Sequence, residues 1–332
     1  MARTDRISCP AMMADALAAH TYSIVARDTA SGELGVAVQS HWFSVGSTVS
    51  WAEAGAGAVA TQAFADPGYG KMGLELMRAG HSAPESLARL LATDRKREIR
   101  QVAMVDSQGR VAVHTGQLTI PEAGHETGDG FSVQANMMLK ATVWPAMAAA
   151  FKSAGGDLAE RMLAALEAAE REGGDVRGRQ SAALVMVRCI PTGLAWLDRL
   201  FDVRVDDHPE PLKELRRLVR VQRAYGHKMA GDSAFAKGEL ERGTLEYEQA
   251  RSLVPGNLEF PFWHAVALLS LGRTEQAAAT FREVFSKDRN WAILGARMAR
   301  SGLMPCDNAT AERAISQAAR EAGTGESRAP RP

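Results

Sequence analysis

The stretch from Thr21 to Ser40, TYSIVARDTASGELGVAVQS, holds two alternating runs joined by a turn cluster. In the first run Tyr22, Ile24 and Ala26 share one face and the intervening residues share the other, which is the period of a β-strand. The second run, LGVAVQS, follows the residues TASGE, whose composition is typical of a turn. Together the two runs predict a β-hairpin that begins at Thr21.

Strand and helix patterns continue to about residue 206. GAGAVATQ predicts a third strand, and its small residues suggest close approach of another layer. Two helices are predicted next, in GYGKMGLELMRAG and in SAPESLARLLATD, where Ser82 and Glu85 have capping-box spacing. Further strands are expected in QVAMVDSQGRVAVHTG, GDGFSVQANMM, SAALVMVR and FDVRVDDH, with a helical region at about 137–171 among them. This order favours an antiparallel α+β layered fold over a parallel, strictly alternating one.

After DDHPEPLKEL the patterns are helical only, and an internal repeat is present. Gly238 and Gly272 lie 34 residues apart in matching turns, and Tyr247 and Phe281 have the same spacing. This is the period of the tetratricopeptide repeat, so residues of about 224–290 resemble a pair of such units. The following stretch, NWAILGARMARSG, is expected to be the cap helix that such stacks require.

Charge and composition exclude several classes of partner. The 332-residue chain has 39 basic and 39 acidic side chains, so no excess charge favours nucleic acid. No apolar run approaches the roughly 18 residues that span a bilayer, so no membrane partner is expected. Cys9, Cys189 and Cys306 are far apart and form no CxxC pair, which is typical of lone thiols in a reducing compartment. We therefore predict a cytoplasmic location, with the periplasm less favoured.

The first twenty residues, MARTDRISCPAMMADALAAH, have little pattern. Early arginines and a terminal ALAA resemble a secretory signal, but Asp15 interrupts the apolar run. A disordered extension, or a start codon assigned too early with Met12 or Met13 as the alternative, is favoured instead. The composition of GTGESRAPRP predicts a disordered tail. The predicted segments are 1–20 (leader or mis-assigned start), 21–210 (α+β domain), 211–320 (helical domain) and 321–332 (tail).

Common catalytic and metal motifs are missing from the sequence. His114 and His125 lack the spacing of helical metal ligands, and no dinucleotide or Walker glycine motif is present. Ser132 does not lie in a GxSxG nucleophile elbow. We therefore expect neither a metal nor a cofactor.

Polar residues that cluster at strand ends are the remaining candidates for a site. Each has an alternative role as a loop hydrogen-bonding group or a helix cap. Besides Thr21, they are Gln39, Ser40, His41, Gln62, Asp66, Asp129, Asn136, Asp175, Arg177 and Gln180.

The motifs also resemble a known family. A threonine-headed strand and hairpin, GAGAVATQ, DPGYG, GDGFSVQANMM, RGRQSAAL and DVRVDDHP are together similar to the N-terminal-nucleophile (Ntn) hydrolase-like domain-of-unknown-function family ten-twenty-eight, over residues 21 to about 213. The resemblance implies a four-layer αββα sandwich. It also implies a nucleophilic Thr21, whose free α-amine would act as the base for its own hydroxyl, with Asn136 as a candidate oxyanion donor. Candidate substrate-binding residues are Gln62, Asp66, Asp129, Arg177 and Gln180.

Two features depart from that family. Its members commonly begin Met-Thr, whereas here twenty residues precede Thr21, so the amine is free only if the bond between His20 and Thr21 is cleaved. No lysine plainly matches the catalytic lysine of proteasome subunits, and Lys71 is expected on a solvated helix face.

Two functions follow from these patterns. The first is an amidohydrolase that acts on a small amide or peptide through Thr21 after removal of the leader. The second is a catalytically silent domain in a scaffold protein, whose helical pair binds a protein partner. A homodimer is expected in either case.

Overall fold

The computed structural model describes residues 17–324. Most of the predicted leader, 1–16, and most of the predicted tail, 325–332, lie outside these residues. The described chain divides into two compact units, one that ends at Val219 and one that begins at Arg220.

The first unit contains two antiparallel sheets. In the first sheet the order is β1-β5-β6-β7, and β4 pairs with the same edge of β5 as β1 does. Its strands are β1 (Leu17–Ala19), β4 (Ser50–Glu53), β5 (Gly57–Ala65), β6 (Arg100–Asp106) and β7 (Val111–Thr115).

The second sheet has the order β11-β10-β3-β2-β9-β8. Thr21 pairs with Ser40 and Arg27 pairs with Leu34, so the predicted hairpin is confirmed and lies at the centre of this sheet. Its strands are β2 (Thr21–Arg27), β3 (Leu34–Ser40), β8 (Gly124–Gly128), β9 (Phe131–Ala135), β10 (Ser181–Val187) and β11 (Arg199–Val205).

Helices cover the outer faces of the two sheets, and the inner faces contact each other. Two helices pack on the first sheet and two on the second. The helices of this unit are α1 (Gly46–Val49), α2 (Gly68–Arg78), α3 (Ala83–Thr93), α4 (Val143–Ser153), α5 (Leu158–Arg171) and the short α6 (Ala195–Asp198), with a 3₁₀ turn at Arg97–Ile99. The α+β prediction is confirmed.

The predicted helical region at 137–171 consists of two helices rather than one. Gly156 lies between them with φ +93°, a backbone conformation that suits glycine, and Asp157 caps the second helix by accepting from the Glu160 amide at 3.0 Å.

Strand alternation decides which side chains reach the space between the sheets. Tyr22, Ile24 and Ala26 belong to the apolar cluster beneath α4 and α5. Ser23 is buried, and Val25 packs with residues of both sheets in a second cluster. Because side chains alternate, Thr21 shares the inner face with Ser23 and Val25.

The described residues of the second unit, 220–324, form helices joined by turns and contain no strand, as predicted. Gly231 and Gly243 lie where adjacent helices touch, and a Cβ atom at either would collide with Tyr247 or Phe235. Within residues 17–324 no helix combines the length and apolarity that a bilayer crossing needs. The helices are α7 (Pro211–Ala236), which crosses the unit boundary, α8 (Leu240–Leu253), α9 (Glu259–Ser270), α10 (Thr274–Lys287), α11 (Asn290–Arg300) and α12 (Asn308–Thr324), which extends into the predicted tail.

The capping box at the start of α3 provides a test of local stability. The Ser82 hydroxyl accepts from the Glu85 amide at 3.2 Å, and the Glu85 carboxylate accepts from the Ser82 amide at 2.8 Å. Ser82→Ala should lower the free energy of unfolding by about 1 kcal/mol in urea denaturation. The control is Ser252→Ala, whose exposed hydroxyl bonds only to the Gln249 carbonyl of its own helix. Equal losses in both variants would contradict the expected role of the cap.

Candidate active site

Thr21 is fully buried at the head of β2. Its hydroxyl donates to the Ala19 carbonyl at 2.8 Å. Its own carbonyl accepts a hydrogen bond from the backbone N–H of Asn136 at 3.1 Å and another from Gln62 Nε2 at 3.2 Å. β1 (Leu17–Ala19) and His20 come immediately before Thr21, so the nitrogen of Thr21 is part of a peptide bond in this structure.

The carbonyl of His20, on the other side of that peptide bond, has two side-chain donors. Ser40 Oγ donates to it at 2.5 Å and Arg177 Nη2 donates at 2.9 Å. Arg177 is held in turn by Asp175, which is buried and accepts from Nε at 3.0 Å and from Nη2 at 2.7 Å. Two donors on one carbonyl, one of them charged, are the elements of an oxyanion-binding site.

The His20 side chain is buried against Phe64. The two ring centroids are 5.2 Å apart and the ring planes are nearly perpendicular. His20 Nδ1 lies 2.9 Å from Asn136 Oδ1. The Asn136 Nδ2 group donates to Gln101 Oε1 at 2.9 Å, so its oxygen faces the ring and the Nδ1 atom of His20 carries the proton. Burial lowers the pKa of His20, which favours the neutral ring.

A buried amide network supports this region from between the sheets. Gln62 Nε2 donates to Gln101 Oε1 at 2.7 Å, and Gln101 Nε2 donates to the Ala135 carbonyl at 2.9 Å. Ser23 Oγ donates to Gln62 Oε1 at 2.6 Å and accepts from Gln134 Nε2 at 2.6 Å. Backbone carbonyls accept from the amide groups and so fix their orientation, which gives the network one consistent set of donors and acceptors.

The structure brings four of the predicted site residues together: Thr21, Gln62, Asn136 and Arg177. Asn136 directs its N–H groups at the carbonyl of Thr21 and at Gln101, whereas the His20 carbonyl is held by Ser40 and Arg177. The oxyanion role of Asn136 stays a prediction, and for the His20 carbonyl the structure offers two other donors.

The other three predicted residues have different surroundings. Asp66 accepts from the Gly68 amide at the start of α2 at 2.8 Å. Gln180 contributes backbone hydrogen bonds, including one from its amide to the Ser40 carbonyl. Asp129 lies in the exposed turn before Phe131, which pairs with Ala26 at the far end of β2 from Thr21. The structure does not place Asp129 near Thr21.

Several members of the site were not selected from the sequence. Ser40 and Asp175 were in the wider polar set, but nothing indicated that they converge on one carbonyl. Gln101 and Gln134 were missed, although each is a polar residue inside an otherwise apolar strand. Such a residue on the inner face of a sheet is a usable signal, because a buried amide requires partners.

Comparison with known proteins places the first unit in a family. No curated protein matches the chain significantly. The crystal structure of protein SPO2555 from Silicibacter pomeroyi, itself described by the DUF1028 family model, is similar with a TM-score of 0.54 and 29% sequence identity. That match covers 60% of this chain and 88% of the other. The model of the family of unknown function DUF1028 matches residues 21–215, so the chain belongs to this family.

Proposed function

We propose that this protein is an amidohydrolase of the N-terminal-nucleophile type, in which Thr21 becomes the nucleophile once the bond between His20 and Thr21 is cleaved. One observation carries the proposal: the carbonyl of that bond is held by the Ser40 hydroxyl and the Arg177 guanidinium. These donors would stabilise the negative charge that develops on the oxygen when a nucleophile adds to the carbon.

Burial of the bond supports cleavage by the chain itself. Proteases act preferentially on exposed, flexible segments. Here the bond lies between β1, which is paired in the first sheet, and β2, which is paired in the second. Both His20 and Thr21 are buried. The Thr21 hydroxyl is the nucleophilic group nearest to the carbonyl along the chain.

The self-cleavage proceeds in two balanced steps. Thr21 Oγ adds to the His20 carbonyl carbon, the C–N bond breaks, and the hydroxyl proton passes to the nitrogen to give an ester and a free amine. Water then adds to the ester and the C–O bond breaks. The products are a His20 carboxylate and the restored Thr21 hydroxyl, and the released proton passes to the new Thr21 amine. Ser40 and Arg177 hold the oxyanion in both steps.

Turnover of a substrate uses the amine that self-cleavage creates. An α-amine has an ordinary pKa of about 8, so near neutral pH part of it is unprotonated and can accept the hydroxyl proton of Thr21. Thr21 Oγ adds to the amide carbonyl of the substrate, the amide nitrogen leaves with a proton, and water hydrolyses the ester. Gln62 and Asn136 keep Thr21 in place through its carbonyl.

The order of layers, helices outside and two facing sheets inside, supports assignment to the αββα sandwich of these hydrolases. The site differs in its cation: the charged group beside the scissile carbonyl is Arg177, held by Asp175, rather than a lysine. An arginine remains charged at all relevant pH values, so it would serve as an electrostatic donor and leave the base role to the amine.

The second candidate is a silent domain in a scaffold. It is favoured by a groove of about 630 Å³ in the helical unit, between α8, α9 and α10, in which Leu245 is 56% exposed. On this proposal the helical unit is a tetratricopeptide pair that binds a protein partner, and the leader is never removed. Homodimerisation and a cytoplasmic location are retained as proposals under both functions.

Leader removal can be tested by intact mass and N-terminal sequencing of the purified chain. The expected result is a protein that begins Thr-Tyr-Ser-Ile and hydrolyses amides. Thr21→Ala should remain full-length and inactive because it lacks the hydroxyl, whereas Thr21→Ser should still be processed. Thr29→Ala, in an exposed turn, is the matched control. A full-length wild-type chain that hydrolyses amides would refute the mechanism.

The two carbonyl donors can be tested by the rate at which the mature chain accumulates. Ser40→Ala and Arg177→Ala should each slow processing by roughly 100-fold, the usual effect of losing one oxyanion donor. Ser47→Ala is the control, since its exposed hydroxyl bonds only to the Ser44 carbonyl. Normal processing in both donor variants, with circular dichroism unchanged, would remove Ser40 and Arg177 from the mechanism.

A further inference from the structure

Residues 17–19, shortly before Thr21, form the strand β1 on an edge of the first sheet. β1 runs antiparallel to the end of β5, with Leu17 opposite Ala65 and Ala19 opposite Ala63. β4 covers the same edge of β5 only from Gly57 to Ala60. Departure of β1 would therefore leave the edge from Ala63 to Ala65 with unpaired backbone groups, which readily accept a new strand.

Two side chains of this segment occupy well-defined surroundings. Ala19 is fully buried in the apolar cluster between the sheets, which also contains Val25 and Ala65. His20 packs edge-on against Phe64 and donates from Nδ1 to Asn136 Oδ1. We call the β5 edge at Ala63–Ala65, together with Phe64 and Asn136, the leader site.

The leader site must also hold the acyl part of a substrate. In self-cleavage the intermediate is an ester between the leader's His20 carbonyl and Thr21 Oγ, beside a free amine. In turnover the intermediate is an ester between the substrate's carbonyl and the same oxygen, beside the same amine. The two intermediates share the reacting groups, so water must attack both in the same environment. The acyl chain of each therefore extends from Thr21 Oγ in the same direction.

From this geometry we propose that the substrate is an extended peptide whose acyl side pairs as a strand with β5 in the leader site. The residue that supplies the scissile carbonyl has a planar side chain with a hydrogen-bond donor, as His20 has. The residue before it is small, as Ala19 is. This inference rests on the proposed function and adds the class of substrate to it.

The test is peptide binding, which does not require catalysis. The probe is fluorescein-labelled Leu-Ala-Ala-His-amide, and binding is followed by fluorescence polarisation. In the full-length Thr21→Ala chain the tethered leader should exclude the probe, because a tethered segment has a high effective concentration. Adding Ala19→Asp should open the site, since a carboxylate is strongly disfavoured in a buried apolar position. If the Ala19→Asp variant does not fold, Ala19→Leu is used in its place. The larger leucine side chain should displace the leader from the same position without adding a charge.

The expected pattern in the opened variant is binding of Leu-Ala-Ala-His, with at least tenfold weaker binding of Leu-Ala-Asp-His because of the buried charge. Leu-Ala-Ala-Leu should bind up to about tenfold more weakly through loss of one hydrogen bond. Asn136→Ala should remove this difference between His and Leu, as a double-mutant cycle requires. Absence of binding in folded, opened variants, or equal binding of all three peptides, would overturn the inference.

The outcomes separate this inference from the proposed function. Selective binding together with an unprocessed, inactive wild-type chain would reject the hydrolase and keep the peptide site. Processing and amide hydrolysis without selective binding would keep the hydrolase and reject the peptide site.

Discussion

The site depends on two neighbouring carbonyl groups that are held by different sets of donors. The carbonyl of His20 is bound by Ser40 and Arg177, and the carbonyl of Thr21 is bound by Gln62 and Asn136. The first set comes from β3 and from the loop before β10, and the second comes from β5 and from the end of β9. The peptide bond between His20 and Thr21 is therefore fixed from both sheets at once.

This arrangement is only stable because every member has a partner. A buried amide that loses its hydrogen bonds lowers the free energy of unfolding by about 1–3 kcal/mol. The glutamines between the sheets must therefore hydrogen-bond to one another or to backbone groups. They do so through Gln62, Gln101 and Gln134, with Ser23 as a shared hydroxyl. An amide network of this kind specifies how the two sheets meet and leaves Thr21 little freedom to move.

Membership in a family of unknown function gives the fold but not the chemistry, because function resides in the site. The geometry at His20 is what raises the hydrolase above the scaffold as a proposal. The proposed self-cleavage would give a chain with residues ahead of Thr21 a threonine at its N-terminus, and the described part of the leader, residues 17–20, lies directly beside the bond in question. The proposed substrate class rests on the same residues.

The sequence by itself determined the hairpin at Thr21, the α+β character of the first unit and the helical character of the second, since periods of two and of 3.6 residues are local properties. It also identified Thr21, Gln62, Asn136 and Arg177 as candidates. It did not reveal β1 or β4, which are four residues or fewer and carry too little pattern. Nor could it show that Ser40 and Arg177, 137 positions apart, meet at one carbonyl. That convergence, and the separation of Asp129 from it, are consequences of strand order and register, which only the tertiary structure decides.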